Sequence, residues 1–236
     1  MRRRLADVVH WEKMAVILLI RHGENEYTRT GKLAGHTPGV SLNGAGKMQA
    51  LKLVERLKPL AIQHIYSSPL ERARETAAPL AEARQLEVQI RDGLAEVGFG
   101  EWTGKSLKRL ARTKLWRVVQ NLPSAMQFPG GETMRAAQMR LVDTLEQIAR
   151  DHPKDVSAVF CHSDPIKLAV AFYLGMPLDL FQRLEISTGS ITVLRLGAGA
   201  PSLVKLNDTG PFVARQRPAK AKARRSGNGR QSRSKS

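Results

Sequence analysis

Short, unbroken apolar runs separated by longer amphipathic stretches organise this chain. Residues 16–20, Val-Ile-Leu-Leu-Ile, are continuously apolar and branched, the pattern of a strand buried on both faces. The run stops at Arg21-His22-Gly23, where the glycine permits a turn. Residues 43–58 follow helix logic: Asn43 is placed to cap, Met48, Leu51, Leu53, Val54 and Leu57 form an apolar face, and Pro59 ends it. Residues 62–66 read as a second buried strand. In Ser67-Ser68-Pro69-Leu70-Glu71, Ser68 suits an N-cap, Pro69 the first helical position and Glu71 a capping box, which predicts a helix to about Arg84.

Further along, residues 88–90 predict a short strand, 91–104 a Gly-rich loop and 105–121 a helix. Gly130-Gly131-Glu132 opens a long helix reaching about Asp151, and 156–160 is another buried strand with a helix at 165–174 behind it. Residues 190–196 and 202–206 alternate as final strands, and no internal repeat is visible. Strands alternating with helices predict an α/β three-layer sandwich, a mostly parallel sheet with helices on both faces. Such sheets bind ligands beyond the carboxyl ends of their strands. Arg21-His22, the 67–72 segment and His162-Ser163 each follow a buried strand directly, so three separate segments deliver two histidines and at least two arginines to one sheet edge.

Composition sets limits on this reading. A chain of 236 residues, 42% hydrophobic, suits one sizeable core and a single domain. The longest apolar run, 15–20, is far short of the roughly 20 residues of a spanning helix, so no transmembrane segment is expected. No apolar stretch and cleavage site follow the basic start, which argues against a secretory signal. The single cysteine, Cys161, fits a reducing cytoplasm. Met14 directly precedes the first strand and is read as the natural start, with residues 1–13 an extension and 14–213 the folded domain.

The formal charge of +17 resembles a nucleic-acid signature, but residues 214–236 hold nine Lys or Arg and no acid and residues 1–13 four basic against two acidic side chains, leaving about +6 for the body. This basic tail has almost no apolar side chains and is expected to be disordered, solubilising and at most weakly attracted to polyanions. A dedicated nucleic-acid role is the minority reading.

Arg21, His22, Arg72 and His162 together make a dianion trap, because planar guanidinium forks match phosphate oxygens bidentately. An imidazole among cations stays neutral, leaving its lone pair free to attack phosphorus. Phosphoryl transfer needs mainly positioning and charge neutralisation, which four basic side chains supply without a metal. A proton donor for the leaving oxygen remains to be found. Glu96 is the first choice, with Glu101 and Asp92 as competitors in the same loop.

These residues also carry a family resemblance. Leu19-Ile20-Arg21-His22-Gly23-Glu24 resembles the Arg-His-Gly signature of the histidine phosphatase (phosphoglycerate mutase-like) superfamily, and Ser67 to Ala73 its second-arginine motif. Leu94-Ala95-Glu96 through Trp102-Thr103-Gly104 is similar to its acid/base loop, and Phe160-Cys161-His162-Ser163-Asp164 to the segment of its second histidine. The resemblance spans roughly residues 14–206. It implies a phosphoglycerate mutase-like fold with a mixed sheet, a phosphohistidine at His22, phosphate clamping by Arg21, Arg72 and His162, and Glu96 as general acid and base. Thr28 stands where the family usually has Asn, and Ser163 where it usually has Gly; with Gly35, which looks like the family's substrate-contacting turn, these are the expected substrate-binding positions.

Other features have blander readings. His10, His36, His64 and His152 lack ligand spacing and are expected at the surface, His36 near the pocket mouth; no metal site and no cofactor are expected. Cys161 lacks the arginine six positions on that a cysteine-dependent phosphatase needs, and Lys167 stands there, so it reads as a small buried residue. Gly44-Ala45-Gly46-Lys47 lacks P-loop spacing and reads as a helix start. Trp102 and Trp116 suit an apolar substrate wall or core packing equally. The expected function is a metal-independent phosphomonoester hydrolase acting on a small phosphorylated substrate. A phosphomutase using the same phosphohistidine is the runner-up, and a catalytically weak binding protein with a polyanion-attracting tail is the third possibility. The loop Gly98 to Gly104 looks more like the phosphatase branch than the mutase branch.

Overall fold

The computed structural model describes residues 14–210; the extension at 1–13 and the basic tail lie outside the described residues. In chain order the elements are β1 (Met14–Arg21), α1 (Glu26–Arg29), α2 (Gly44–Leu57), β2 (Ile62–Ser67), α3 (Glu71–Arg84), β3 (Val88–Ile90), α4 (Leu107–Leu110), α5 (Lys114–Asn121), α6 (Met134–Asp151), β4 (Val156–Cys161), α7 (Ser163–Tyr173), β5 (Ile191–Gly197) and β6 (Ser202–Asp208). The sheet order is β3-β2-β4-β1-β5-β6. Strands β3, β2, β4 and β1 are mutually parallel, and β5 and β6 add antiparallel pairings at one side.

Burial on both faces explains the unbroken apolar run of β1. Ala15, Ile17 and Leu19 pack with Leu141, Leu145 and Ile148 of α6 and Ile166 and Ala169 of α7. Leu18 and Ile20 point the other way, against Leu53 and Leu57 of α2 and Ala77 and Leu80 of α3. Period-two alternation thus feeds two separate cores, and each fully buried Leu or Ile contributes about 1.5–3 kcal/mol relative to exposure. The expected three layers are present. A third core, around Phe99, Trp102, Phe128 and Phe181, seats the 97–128 segment in front of α6 and α7. Among the described residues no helix is long and apolar enough to cross a membrane.

Several local expectations are corrected. Helix α3 begins at Glu71 with Leu70 at its N-cap and no side-chain cap, so Ser68 is not the cap; its Oγ accepts from the Leu70 amide at 3.3 Å and meets His162 Nε2 at 2.8 Å. On α2, Asn43 does cap, accepting from the Gly46 amide, but Met48 and Leu51 are each 54% exposed, and Gly46, Ala50, Leu53 and Leu57 form the buried face. The single helix expected at 105–121 is two, α4 and α5, because Thr113 starts a new helix by accepting from the Trp116 amide. Thr133, not the glycine pair, caps α6.

Candidate active site

The register of the parallel strands brings the site together. Arg21 pairs with Cys161 and Ser67 with Phe160, so β1, β2 and β4 end at one level. The chain continues the ladder one residue further: the His22 amide donates to Cys161 O at 3.0 Å and the Ser68 amide to Phe160 O at 2.9 Å. His22, Ser68 and His162 therefore lie side by side at the carboxyl edge, and the two imidazole centroids are 5.3 Å apart.

Close glycine packing fixes the turn after β1. A Cβ on Gly23 would lie 2.7 Å from Gly46 O, and one on Gly46 would lie 2.0 Å from Glu24 O, so neither position admits alanine without moving backbone. This contact is what Gly44-Ala45-Gly46 contributes, as the start of α2 rather than a phosphate loop. His22 is 3% exposed, and its Nδ1 lies 2.7 Å from Gly23 O. A carbonyl only accepts, so Nδ1 carries the proton and Nε2 presents the lone pair. Burial, then the positive charges of Arg72 and Arg21, hold the His22 pKa well below that of free histidine, keeping the ring neutral. Burial and the same arginines act likewise on His162.

Each arginine is tethered at one nitrogen and free at another. Arg21 Nη1 donates to Ile186 O at 2.5 Å and Arg72 Nη2 to Gly35 O at 2.9 Å. Arg21 Nε, Arg72 Nε and Nη1, His162 Nδ1 and Asn25 Nδ2 are buried and have no partner among the described residues. Leaving buried polar groups unsatisfied costs about 1–3 kcal/mol each, more for charged ones, so this set calls for an anionic ligand that accepts from several at once. The cavity that Arg21, Asn25 and Arg72 border has a volume of about 300 Å³.

Of the residues singled out from sequence, Arg21, His22, Thr28, Gly35, Arg72, Glu96 and Ser163 line this cavity. His162 lies behind His22, its Nε2 bonded to Ser68 Oγ at 2.8 Å. Gly35 has φ +49°, and a Cβ there would meet Thr103 Oγ1 at 2.8 Å, so its place in the wall depends on being glycine. Thr28 lines the cavity while its hydroxyl is engaged locally. Its hydroxyl donates to Asn25 O at 2.8 Å and accepts from the Asn25 amide at 3.0 Å, closing a capping box on α1. Asn25, which the sequence reading missed, accepts from the Thr28 amide through Oδ1 and keeps Nδ2 for the cavity. The Asn-x-x-Thr cap signature was the available signal.

The three candidate acids separate cleanly. Glu96 lines the cavity, whereas Glu101 and Asp92 are exposed and do not. Desolvation, and then the negative charge of Asp164, raise the Glu96 pKa to about 7 against the opposing pull of Arg72 and Arg21. Asp164, which the sequence motif includes without a role, shares the cavity wall and lies 3.7 Å from Lys167 Nζ. The Glu96 loop is braced from α6: Arg140 donates to Gly93 O at 2.8 Å and pairs with Glu132 at 2.8 Å, while Glu132 accepts from the Gly98 amide at 2.7 Å. His36 is exposed and its Nε2 lies 2.6 Å from Glu96 O, but it is not among the residues that line the cavity, where the sequence placed it near the mouth. Trp102 and Trp116 stack with centroids 6.2 Å apart and line the cavity, while Trp102 also belongs to the third core. Cys161 is buried, its thiol pKa pushed up by desolvation, and it does not line the cavity.

A sequence model described as the histidine phosphatase superfamily (branch 1) matches residues 17–209. Phosphoserine phosphatase 1 of Hydrogenobacter thermophilus is 29% identical over 198 residues, 83% of this chain and 93% of that protein. The 2,3-bisphosphoglycerate-dependent phosphoglycerate mutase of Thermoplasma acidophilum is 26% identical over 187 residues, 79% of this chain and 90% of its own. Among solved structures, a phosphoserine phosphatase from Entamoeba histolytica in complex with 3-phosphoglyceric acid superposes with a TM-score of 0.76 at 26% identity, covering 85% of this chain and 100% of that one.

Proposed function

This chain belongs to the histidine phosphatase superfamily, and from that premise we propose that it hydrolyses phosphomonoesters without a metal, through a phosphohistidine at Nε2 of His22. The observation that carries the reading is His22 Nδ1 held 2.7 Å from Gly23 O, which leaves Nε2 to present the lone pair, beside five buried nitrogens without partners among the described residues. Arg21, Arg72, His162 and Asn25 hold the equatorial phosphate oxygens. Nε2 attacks phosphorus, the ester P–O bond breaks, and protonated Glu96 gives its proton to the departing oxygen. Glu96, now a carboxylate, takes a proton from the water that attacks the phosphohistidine; the P–N bond breaks, inorganic phosphate leaves and the neutral imidazole returns. Ser163 and Gly35 shape the wall near the phosphate, and Trp102 and Trp116 offer an apolar surface to the organic part of the substrate. Release of inorganic phosphate from a panel of small phosphomonoesters tests this; a phosphoryl group returned to another oxygen of the same substrate, with no release, would support the phosphomutase reading that the Thermoplasma relative motivates.

The pH dependence follows from the charges around Glu96. A carboxyl with its pKa at about 7 is protonated below that pH and loses its proton above it, so kcat/KM for an alkyl phosphate should fall above pH 7, by about tenfold per unit. The lowered pKa of His22 keeps the nucleophile neutral well into the acid range. Asp164→Asn removes the largest charge contribution that raises Glu96, so the falling limb should move to lower pH; an unmoved limb would remove Asp164 from this role. Turnover should survive EDTA, and loss on chelation with rescue by Mg²⁺ would refute metal independence.

A further inference from the structure

Three metal-ligating side chains meet at the opposite end of the parallel strands from the cavity. His64 is on the amino-terminal half of β2, His152 caps the carboxyl end of α6, and Asp155 immediately precedes β4. Sequence spacing gave no hint of this, since His64 and Asp155 are 91 positions apart. His64 Nε2 lies 3.0 Å from Asp155 Oδ2, His152 Nδ1 lies 3.9 Å from the same oxygen, and all three ligand atoms are within 4.8 Å of one another.

We propose that His64 Nε2, His152 Nδ1 and Asp155 Oδ2 form a binding site for a divalent transition metal of the Zn²⁺ or Co²⁺ class, clamping the end of α6 to β2 and β4. Two imidazoles and one carboxylate suit such ions and not Mg²⁺ or Ca²⁺, which favour all-oxygen shells. Tetrahedral Zn²⁺ with bonds of about 2.0–2.1 Å sets neighbouring ligand atoms roughly 3.3 Å apart, and the separations of 3.0 and 3.9 Å bracket this value. The rings now stack at 3.5 Å with an interplanar angle of 18°, so they must open by a small rotation for both lone pairs to reach one ion. Side-chain exposures of 23% and 21% leave room for that rotation and for a water as fourth ligand.

Two further observations set this trio apart from a chance surface cluster. His152 Nε2, the nitrogen that would not bind metal, is held by Tyr66 Oη at 2.8 Å, the outer contact that orients a ligating histidine. The pairing of β2 with β4 shifts register between Ile62 and His64, and such irregularities re-aim the side chain beside them. Gln63 completes the surround, accepting from the Val156 amide at 2.8 Å and donating to Asp155 Oδ1 at 3.4 Å.

The test uses the full chain, stripped with EDTA and titrated with ZnCl₂ by calorimetry and with CoCl₂ by visible absorption. One equivalent should bind, raise Tm and leave phosphatase turnover unchanged. His64→Gln and Asp155→Asn, each checked for an unchanged metal-free Tm, should lose this binding by about 100-fold or more, and Tyr66→Phe should weaken it by about 10-fold or more. Binding of equal strength in wild type and all three variants, binding that inhibits turnover and persists in His64→Gln, or no stoichiometric binding at all would each overturn the assignment.

Discussion

His22→Ala is expected to lower kcat on every phosphomonoester by about 10⁴-fold or more, since removing the nucleophile of a covalent mechanism leaves only binding and electrostatic stabilisation. A loss of that size corresponds to about 5 kcal/mol or more of transition-state free energy at 1.36 kcal/mol per tenfold. Loss of folding is a poor alternative account, because the ring makes one side-chain hydrogen bond, to the carbonyl of the next residue. The variant should therefore melt near the wild-type temperature. It should also bind phosphate at least as well as wild type, because Arg21, Arg72, His162 and Asn25 keep their unpartnered nitrogens. Measured kcat, Tm and phosphate affinity separate the three effects; a variant that turns over at wild-type rate would end the covalent reading.

The second large effect concerns Glu96→Gln, and its size depends on the leaving group. An alkoxide is a poor leaving group at neutral pH and needs a proton, whereas p-nitrophenolate departs without one. Glutamine keeps the size of the side chain but cannot donate that proton, so hydrolysis of alkyl phosphates should slow by about 10²-fold or more. Phosphoenzyme formation from p-nitrophenyl phosphate should slow far less, and the falling limb near pH 7 should vanish for the alkyl substrate. Water attack on the phosphohistidine can still suffer, since the same carboxylate then serves as base, and burst kinetics separate the two steps. Small and equal effects on both substrates would take Glu96 out of the mechanism.

What could be read from the chain alone was set by how local the physics was. The runs at 16–20, 62–66 and 156–160 announced strands because burial on both faces demands continuous apolar residues, and strand ends then located His22, Arg72 and His162. Side chains already claimed by another contact depart from the pattern. Ser68 looked like a helix cap from its neighbours, yet its hydroxyl is taken by His162, 94 positions away. Thr28 was read for its hydroxyl, but the short helix α1 uses that group and turns the Asn25 amide to the cavity. Met48 and Leu51 fit an apolar stripe by type, while the close approach of Gly46 to Glu24 rotates the buried face toward Gly46, Ala50, Leu53 and Leu57. The Arg140–Glu132 brace on the Glu96 loop and the Asp164 charge are tertiary contacts with no sequence signature.

The most direct measurement of the central claim is chemical quench of the wild-type enzyme within milliseconds of mixing with a ³²P-labelled substrate, followed by peptide mapping. Label that is stable in base, lost in acid and located on His22 is the expected result. Turnover without any trapped phosphoenzyme, or label on His162, Ser163 or Cys161 in place of His22, would contradict it.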